Sequence, residues 1–316
     1  MKLKDLIVGG IIGLMAPVVV AQAEITWGEQ YSKSGGLVDV FPLNPSNFYT
    51  LRWQGNNVFG AYHLGKIDDL KEVKSSKISS SVNKNIANFE DVILIEERPA
   101  VILSNVKDGK DNIYLQQYSY DLEPRGEAKL IASYDLVKGK TKDAIQVIQS
   151  KDKKFTAIIW LLVGKKRDND TYGFKVLDTK LNVVQKGEIE IPFESRNSVV
   201  TQKLLTNTGE FFFTLSEYDY DNYRSRDKIS PFKDMYLYQV KEDELSRYKL
   251  PFKGRRPEAI SITSDDDSQF TITGCYGDEN VPGISGLFFM HVDFVNEEIT
   301  REGFTPFDRG FITQNW

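Results

Sequence analysis

Residues 199–205 read Val199-Val200-Thr201-Gln202-Lys203-Leu204-Leu205; a turn, Thr206-Asn207-Thr208-Gly209, leads into Phe211-Phe212-Phe213-Thr214-Leu215. A polar excursion from Ser216 to Asp234 follows, and apolar residues return at Met235-Tyr236-Leu237-Tyr238-Gln239-Val240. After the acidic turn Glu242-Asp243-Glu244 a last segment ends at Leu250-Pro251-Phe252. Short runs rich in aromatic and branched side chains, punctuated by Gly, Asn and Asp, are what strands joined by tight turns require. No stretch sustains a 3.6-residue apolar period, so a helical bundle is excluded. The unit is four strands in about fifty residues, with the most apolar strand second.

Working outward, the unit repeats. An apolar opener of the second strand recurs at Phe48, Val101, Phe155, Phe211 and Phe270. A second marker, read as closing the third strand, recurs at Leu70, Leu122, Leu181, Leu245 and Ile299. Turn-forming clusters precede the openers, among them Asn44-Pro45-Ser46-Asn47, Ser150-Lys151-Asp152-Lys153 and Ser264 to Ser268. Three modules end alike, at Ile191-Pro192-Phe193, Leu250-Pro251-Phe252 and Thr305-Pro306-Phe307. Proline there suits an outermost strand, where a missing N–H costs no ladder bond and blocks edge pairing. The second strands are apolar without alternation: Ile93-Leu94 with Ala100-Val101-Ile102-Leu103, then Ala157 to Leu162, then Phe211-Phe212-Phe213. Such strands need cover on both faces. Sheets standing radially, each between two neighbours, supply it. A β-sandwich also uses many short strands, but a period of roughly 54 residues favours blades. The expectation is an all-β chain, a β-propeller of about five four-stranded blades over residues 37–316, preceded by a lead-in at 24–36. The tail Asp308 to Trp316 has two readings: it pairs with a strand near Ile25-Thr26-Trp27 to close the ring, or it starts a sixth blade of a longer parent sequence.

The turns Ser150 to Phe155, Thr206 to Phe211 and Ser264 to Phe270 share a Ser/Thr-Asp/Asn-x-x-Phe character before an apolar strand. In this the chain resembles the WD40-like β-propeller repeat proteins of secreted bacterial origin. The resemblance spans about Leu37 to Phe307 and lacks the Gly-His and Trp-Asp signatures of true WD40 repeats. It implies a fold and no activity.

Lys2 and Lys4 precede an apolar run from Leu6 to Val20, followed by Ala21-Gln22-Ala23. That is the layout of a cleaved secretory signal peptide covering residues 1–23, and the run is short for a membrane span. A secreted or periplasmic location is therefore expected, with no transmembrane segment in the mature chain. Cys275 is the one cysteine, so no intramolecular disulfide is available. The chain is 41% hydrophobic and 27% charged, enough for a filled core. Its net charge of −5 argues against nucleic acid as a partner.

No nucleotide, zinc-protease or nucleophile-elbow motif occurs after the signal, so no cofactor is expected. The longest loop, Ser216 to Lys233, carries Tyr218, Tyr220, Tyr223, Arg224 and Arg226. Tyr and Arg combine broad flat surface with a polar end and dominate contact hot spots. These five residues are the candidate ligand-binding set, for a protein or glycan partner. Asp219, Asp221 and Asn222 offer oxygens but too few, with no turn glycine, for a calcium loop. His63 and His291 fall in third strands at opposite ends of the array and read as ordinary strand residues, and Cys275 as a buried inert thiol at a strand end. Glycoside hydrolysis is the alternative, because five-bladed propellers include glycosidases that work with paired carboxylates around a central funnel. The inner strands carry few acids, chiefly Asp39 and Asp91. Arg255-Arg256, at a connection between blades, suits either an anionic partner or the bracing of carbonyls. The overall expectation is a non-catalytic binding or scaffold propeller.

Overall fold

A computed structural model describes residues 35–56, 59–135, 145–162, 168–224, 230–264, 268–278, 282–308 and 310. The expected signal peptide, lead-in and closing tail lie outside these residues, apart from Gly35-Gly36 and the ends of the tail nearest the last strand. The first sheet is Gly36–Pro42 (β1), Phe48–Gly55 (β2), Gly60–Asp68 (β3) and Lys71–Lys77 (β4). A two-stranded ribbon follows, Ser81–Val82 (β5) with Asn85–Ile86 (β6). The second sheet is Asn88–Ile95 (β7), Arg98–Lys107 (β8), Lys110–Gln117 (β9) and Lys129–Asp135 (β10). The third is Gln146–Gln149 (β11), Phe155–Leu162 (β12), Asn169–Asp178 (β13) and Val183–Glu194 (β14). Ser198–Leu205 (β15), Phe211–Tyr218 (β16), Phe232–Lys241 (β17) and Glu244–Leu250 (β18) make the fourth. The fifth is Arg255–Ser264 (β19), Gln269–Asp278 (β20), Gly286–Asp293 (β21) and Glu298–Pro306 (β22).

Each four-stranded sheet is an antiparallel meander in chain order. The first strands of successive sheets touch, β7 with β11, β11 with β15 and β15 with β19, as radial blades around an axis require. The chain is a β-propeller. Its described sheets number six rather than the five modules expected, the extra one being the ribbon, which adds Val82 to the core between the first two blades.

The apolar second strands divide their faces between neighbours. In β8, Val101 and Leu103 pack toward the first sheet while Ala100 and Ile102 pack toward the third. In β12, Ile158 and Trp160 meet the second sheet, and Ala157 and Ile159 the fourth. In β16, Phe211 and Phe213 join the third sheet, and Phe212 the fifth, where its ring lies 4.6 Å from Phe270. The end sheets differ. Tyr49 and Leu51 of β2 are core, alternating with Thr50 and Arg52; Phe270 and Ile272 of β20 alternate with Thr271 and Thr273. Four cores link the five blades in sequence, and none among the described residues joins the fifth blade to the first.

Several local expectations are corrected. Ile93-Leu94 belong to the innermost strand β7, because Glu96 and Glu97 both take positive φ and close a two-residue hairpin between them and Ala100. Leu70, Leu122 and Leu181 do not close third strands; all three sit at positive φ (61°, 59° and 62°) in the turn into the fourth. Leu245 and Ile299 already lie on fourth strands. Cys275 is half-buried and falls inside β20, three residues before its end, on the face turned away from the fourth blade. The Ser/Thr of the hairpin turns has a bonding role: Ser150 Oγ accepts from Phe155 N at 3.0 Å, and Thr206 Oγ1 from Glu210 N at 3.1 Å.

Candidate functional site

The excursion between β16 and β17 is 219–231, shorter than expected, because Ser216, Glu217 and Tyr218 continue the strand. Its described residues, 219–224 and 230–231, lie on the face that also carries the connection 251–254 into the fifth blade and the 3-10 turn Ser195–Asn197 before β15. Asp219 caps its first turn by accepting from Asn222 N at 3.1 Å, and both its oxygens accept from the Asn222 amide. Asp221 is ion-paired to Arg196 of the 3-10 turn and accepts from Asn197 Nδ2 at 3.4 Å. Of the two acids set aside as too few for a calcium loop, Asp219 thus closes a turn within the loop and Asp221 fastens it to the preceding connection.

Tyr218 and Tyr220 stack with ring centroids 5.7 Å apart at 27°. Tyr218 is half-buried and meets Phe232 edge-on at 6.1 Å, while Tyr220 is 49% exposed. Burial raises the Tyr218 hydroxyl above the usual phenol range; a bond from Ser216 opposes this, and the charges of Tyr220 and Glu258 add to it. Tyr223 is half-buried and Arg224 exposed, and Arg226 lies outside the described residues. Within the candidate set, Tyr218 and Tyr220 are a pair in mutual contact. Beneath it, Glu217 is nearly buried and accepts from Lys233 Nζ at 2.5 Å and Tyr236 Oη at 2.9 Å, a brace no local motif announced. The rings continue inward, Phe232 against Phe252 at 6.3 Å and Phe252 against Phe288 at 5.0 Å.

Beside this ladder is a cavity of about 330 Å³ between the fourth and fifth blades. Phe232, Met235, Leu250 and Phe252 give it an apolar floor, and five cations and one carboxylate, Asp234, complete most of its lining. Of the Arg pair, now placed on β19 itself, Arg256 braces carbonyls as one reading held: it donates to Asp278 O, to Gly283 O at 3.0 Å and to Glu258 at 2.5 Å. Arg255 instead lies over Phe304, 4.3 Å from the ring centroid, and over Tyr276 at 5.3 Å.

The two inner-strand acids form a second constellation. Register breaks between Leu37 and Asp39 in β1, and between Phe89 and Asp91 in β7, mark β-bulges, which re-aim side chains locally. Each aspartate accepts from the next backbone N–H at 2.7 Å. Burial raises the Asp91 carboxyl, the Val92 N–H opposes the shift, and the nearby charge of Asp39 adds to it. The same break recurs in β19 around Glu258 and in β7 includes Glu90, two inner-strand acids that sequence reading passed over. His63 and His291 lie on β3 and β21, third strands of the first and last blades, with His291 Nδ1 3.0 Å from Thr271 Oγ1.

No protein-family model matches the chain, and no curated protein sequence does. Solved structures similar to it include the β-propeller domain of the trilobed protease from Pyrococcus furiosus, at 13% identity and a TM-score of 0.46, covering 88% of this chain and 81% of that one. Prolyl oligopeptidase B from Galerina marginata is similar at 10% identity and a TM-score of 0.45, over 87% of this chain and 38% of that one. An endo-arabinase from Bacteroides thetaiotaomicron overlaps at 12% identity and a TM-score of 0.31, over 85% and 93% of the two chains. Overlaps this shallow carry nothing about ligand or chemistry; the propeller assignment rests on the sheet order and the shared cores. Among the described residues, no helix is long and apolar enough to cross a membrane.

Proposed function

We propose that this chain is an exported binding module that contacts a protein partner through the face bearing loop 219–231, with Tyr220, Tyr218 and Arg224 as contact side chains. The observation that carries this reading is the Tyr218–Tyr220 stack, half out of solvent on a frame pinned by Arg196–Asp221 and Glu217–Lys233. A rigid aromatic surface loses little entropy on binding, which is what hot spots exploit. Replacing Tyr220→Ala together with Arg224→Ala removes exposed contact surface and leaves Tyr218 packed on Phe232. Capture of a partner from an envelope extract should fall at least tenfold with an unchanged melting temperature. Undiminished capture rejects the loop, and selective retention on a glycan array replaces the protein partner with a sugar. Export by the Met1–Ala23 segment belongs to the same proposal; a processed chain beginning at Glu24 supports it, and an unprocessed one does not.

A glycoside hydrolase is the second reading, favoured by one observation: Asp91, with a raised carboxyl, feels the charge of Asp39 on the neighbouring inner strand. Environments that push two carboxyls apart in acidity are how such enzymes separate acid from base.

A further inference from the structure

We infer that the cavity between the fourth and fifth blades receives a carboxylate carried on an apolar body, namely the free C-terminus of a peptide ending in an aliphatic or aromatic residue, with Arg255 as its anion receptor. Five cations line the cavity, and four of them have intramolecular carboxylates: Lys233 has Glu217, Lys249 has Asp234 at 2.7 Å, Lys253 has Glu302 and Arg256 has Glu258. Arg255 makes no ion pair among the described residues. Its guanidinium is held over Phe304 and Tyr276, and its Nε is buried without a hydrogen-bond partner. A guanidinium immobilised by rings and stripped of water on one edge gains most from a planar anion that can take two N–H bonds at once. The lysines around the rim, each more than half exposed, sit in ion pairs of the kind that contribute about 1 kcal/mol or less, so they can be shared with an incoming charge.

The remaining lining selects what carries the anion. The floor is apolar, and among the described residues Ser230 is the one neutral polar side chain on the cavity wall, too few donors and acceptors to match the hydroxyls of a sugar. Inorganic phosphate would leave the floor unused. At about 330 Å³ the cavity is at the small end of ligand pockets, roughly 300–1,000 Å³, suited to one terminal residue and not to a length of chain. The assignment rests on the reading that this face binds a protein, since Phe232 joins the cavity floor directly to Tyr218.

The test is calorimetry on the whole processed chain with N-acetyl-Ala-Ala-Leu as free acid, the same peptide as C-terminal amide, a digalacturonate and inorganic phosphate. The free acid should bind, the amide at least tenfold more weakly, and the other two less still. Arg255→Gln should abolish free-acid binding, and Arg255→Lys should weaken it about tenfold, because charge remains without the planar fork. Equal binding of acid and amide, or no binding of the acid, overturns the proposal; phosphate binding as tightly as the acid reduces the cavity to a general anion site and also overturns it. The acid-against-amide comparison uses unaltered protein, so it holds even where Arg255→Gln folds poorly. Tripeptide binding should survive Tyr220→Ala with Arg224→Ala. Loss of partner capture in that variant with no tripeptide binding leaves the loop standing and the cavity rejected; tripeptide binding with undiminished capture does the reverse.

Discussion

Asp91 sits on the strand nearest the axis with its charge poorly solvated, and the sign of the consequence is fixed by that. A carboxyl whose acidity falls on folding binds its proton more tightly in the folded chain. Its contribution to stability is therefore fullest at acidic pH and is lost as pH rises from about 3.9, the unfolded value, through the raised folded one. Asp91→Asn keeps an oxygen for the Val92 N–H and removes the charge. It should raise the urea midpoint above that of the parent at pH 7 and match it near pH 3; a lower midpoint at pH 7 contradicts the burial account. On the hydrolase reading the same variant abolishes turnover of chromogenic glycosides, and absence of any turnover by the parent chain removes that reading. Neither Asp91 nor Arg255 was distinguishable by residue type from its neighbours. Inner-strand placement made Asp39 and Asp91 candidates, but Glu90 and Glu258 were missed because a bulge is a property of pairing between strands.

The turns into the fourth strands show how an element can be built on an unfavourable residue. Leu122 accepts a left-handed backbone while its side chain is fully buried in the core of the first two blades. The turn around it is organised by Ser119, whose Oγ accepts from the N–H of Asp121 and Glu123. Asp178 does the same for Lys180 and Asn182 on either side of Leu181. Left-handed geometry costs an L-residue about 1–2 kcal/mol, and burial of leucine offsets it. Leu122→Ala should cost about 2–5 kcal/mol in denaturant unfolding. Leu122→Gly should be no worse than Leu122→Ala, since glycine alone relieves the φ; a glycine variant clearly less stable than alanine would show the backbone is not strained there. The recurrence of these leucines was legible in the sequence, but not their conformation, because leucine carries no preference for positive φ.

At the scale of the whole molecule, the apolar cores among the described residues couple successive blades. The second strands β8, β12 and β16 put apolar side chains into a core on both faces; β2 and β20 do so on one and carry Thr50 and Arg52, or Thr271 and Thr273, on the other, Thr50 being buried all the same. A blade with one apolar contact has a smaller free energy holding it than a blade with two, as in other nearest-neighbour arrays. Native-state hydrogen exchange should show amides of β2 and β20 opening at lower free energy than those of β8, β12 and β16. Uniform protection across all five strands would mean that the first and last blades are coupled as strongly as the rest. The difference is written in the alternation of Tyr49-Thr50-Leu51-Arg52 and of Phe270-Thr271-Ile272-Thr273, against the unbroken runs in the middle blades.

What the amino-acid order determined alone is the strand-and-turn module and its radial packing. Hydrophobic pattern and turn chemistry are local, and a strand greasy on both sides admits few arrangements. The tertiary fold alone decided which charges meet. Lys233, Lys249, Lys253 and Arg256 find carboxylates that lie between two and about fifty residues away, and Arg255 finds two aromatic rings and, among the described residues, no counter-ion. Coulomb and ring contacts depend on separation in space, and a blade's edge brings together residues that sequence distance keeps apart.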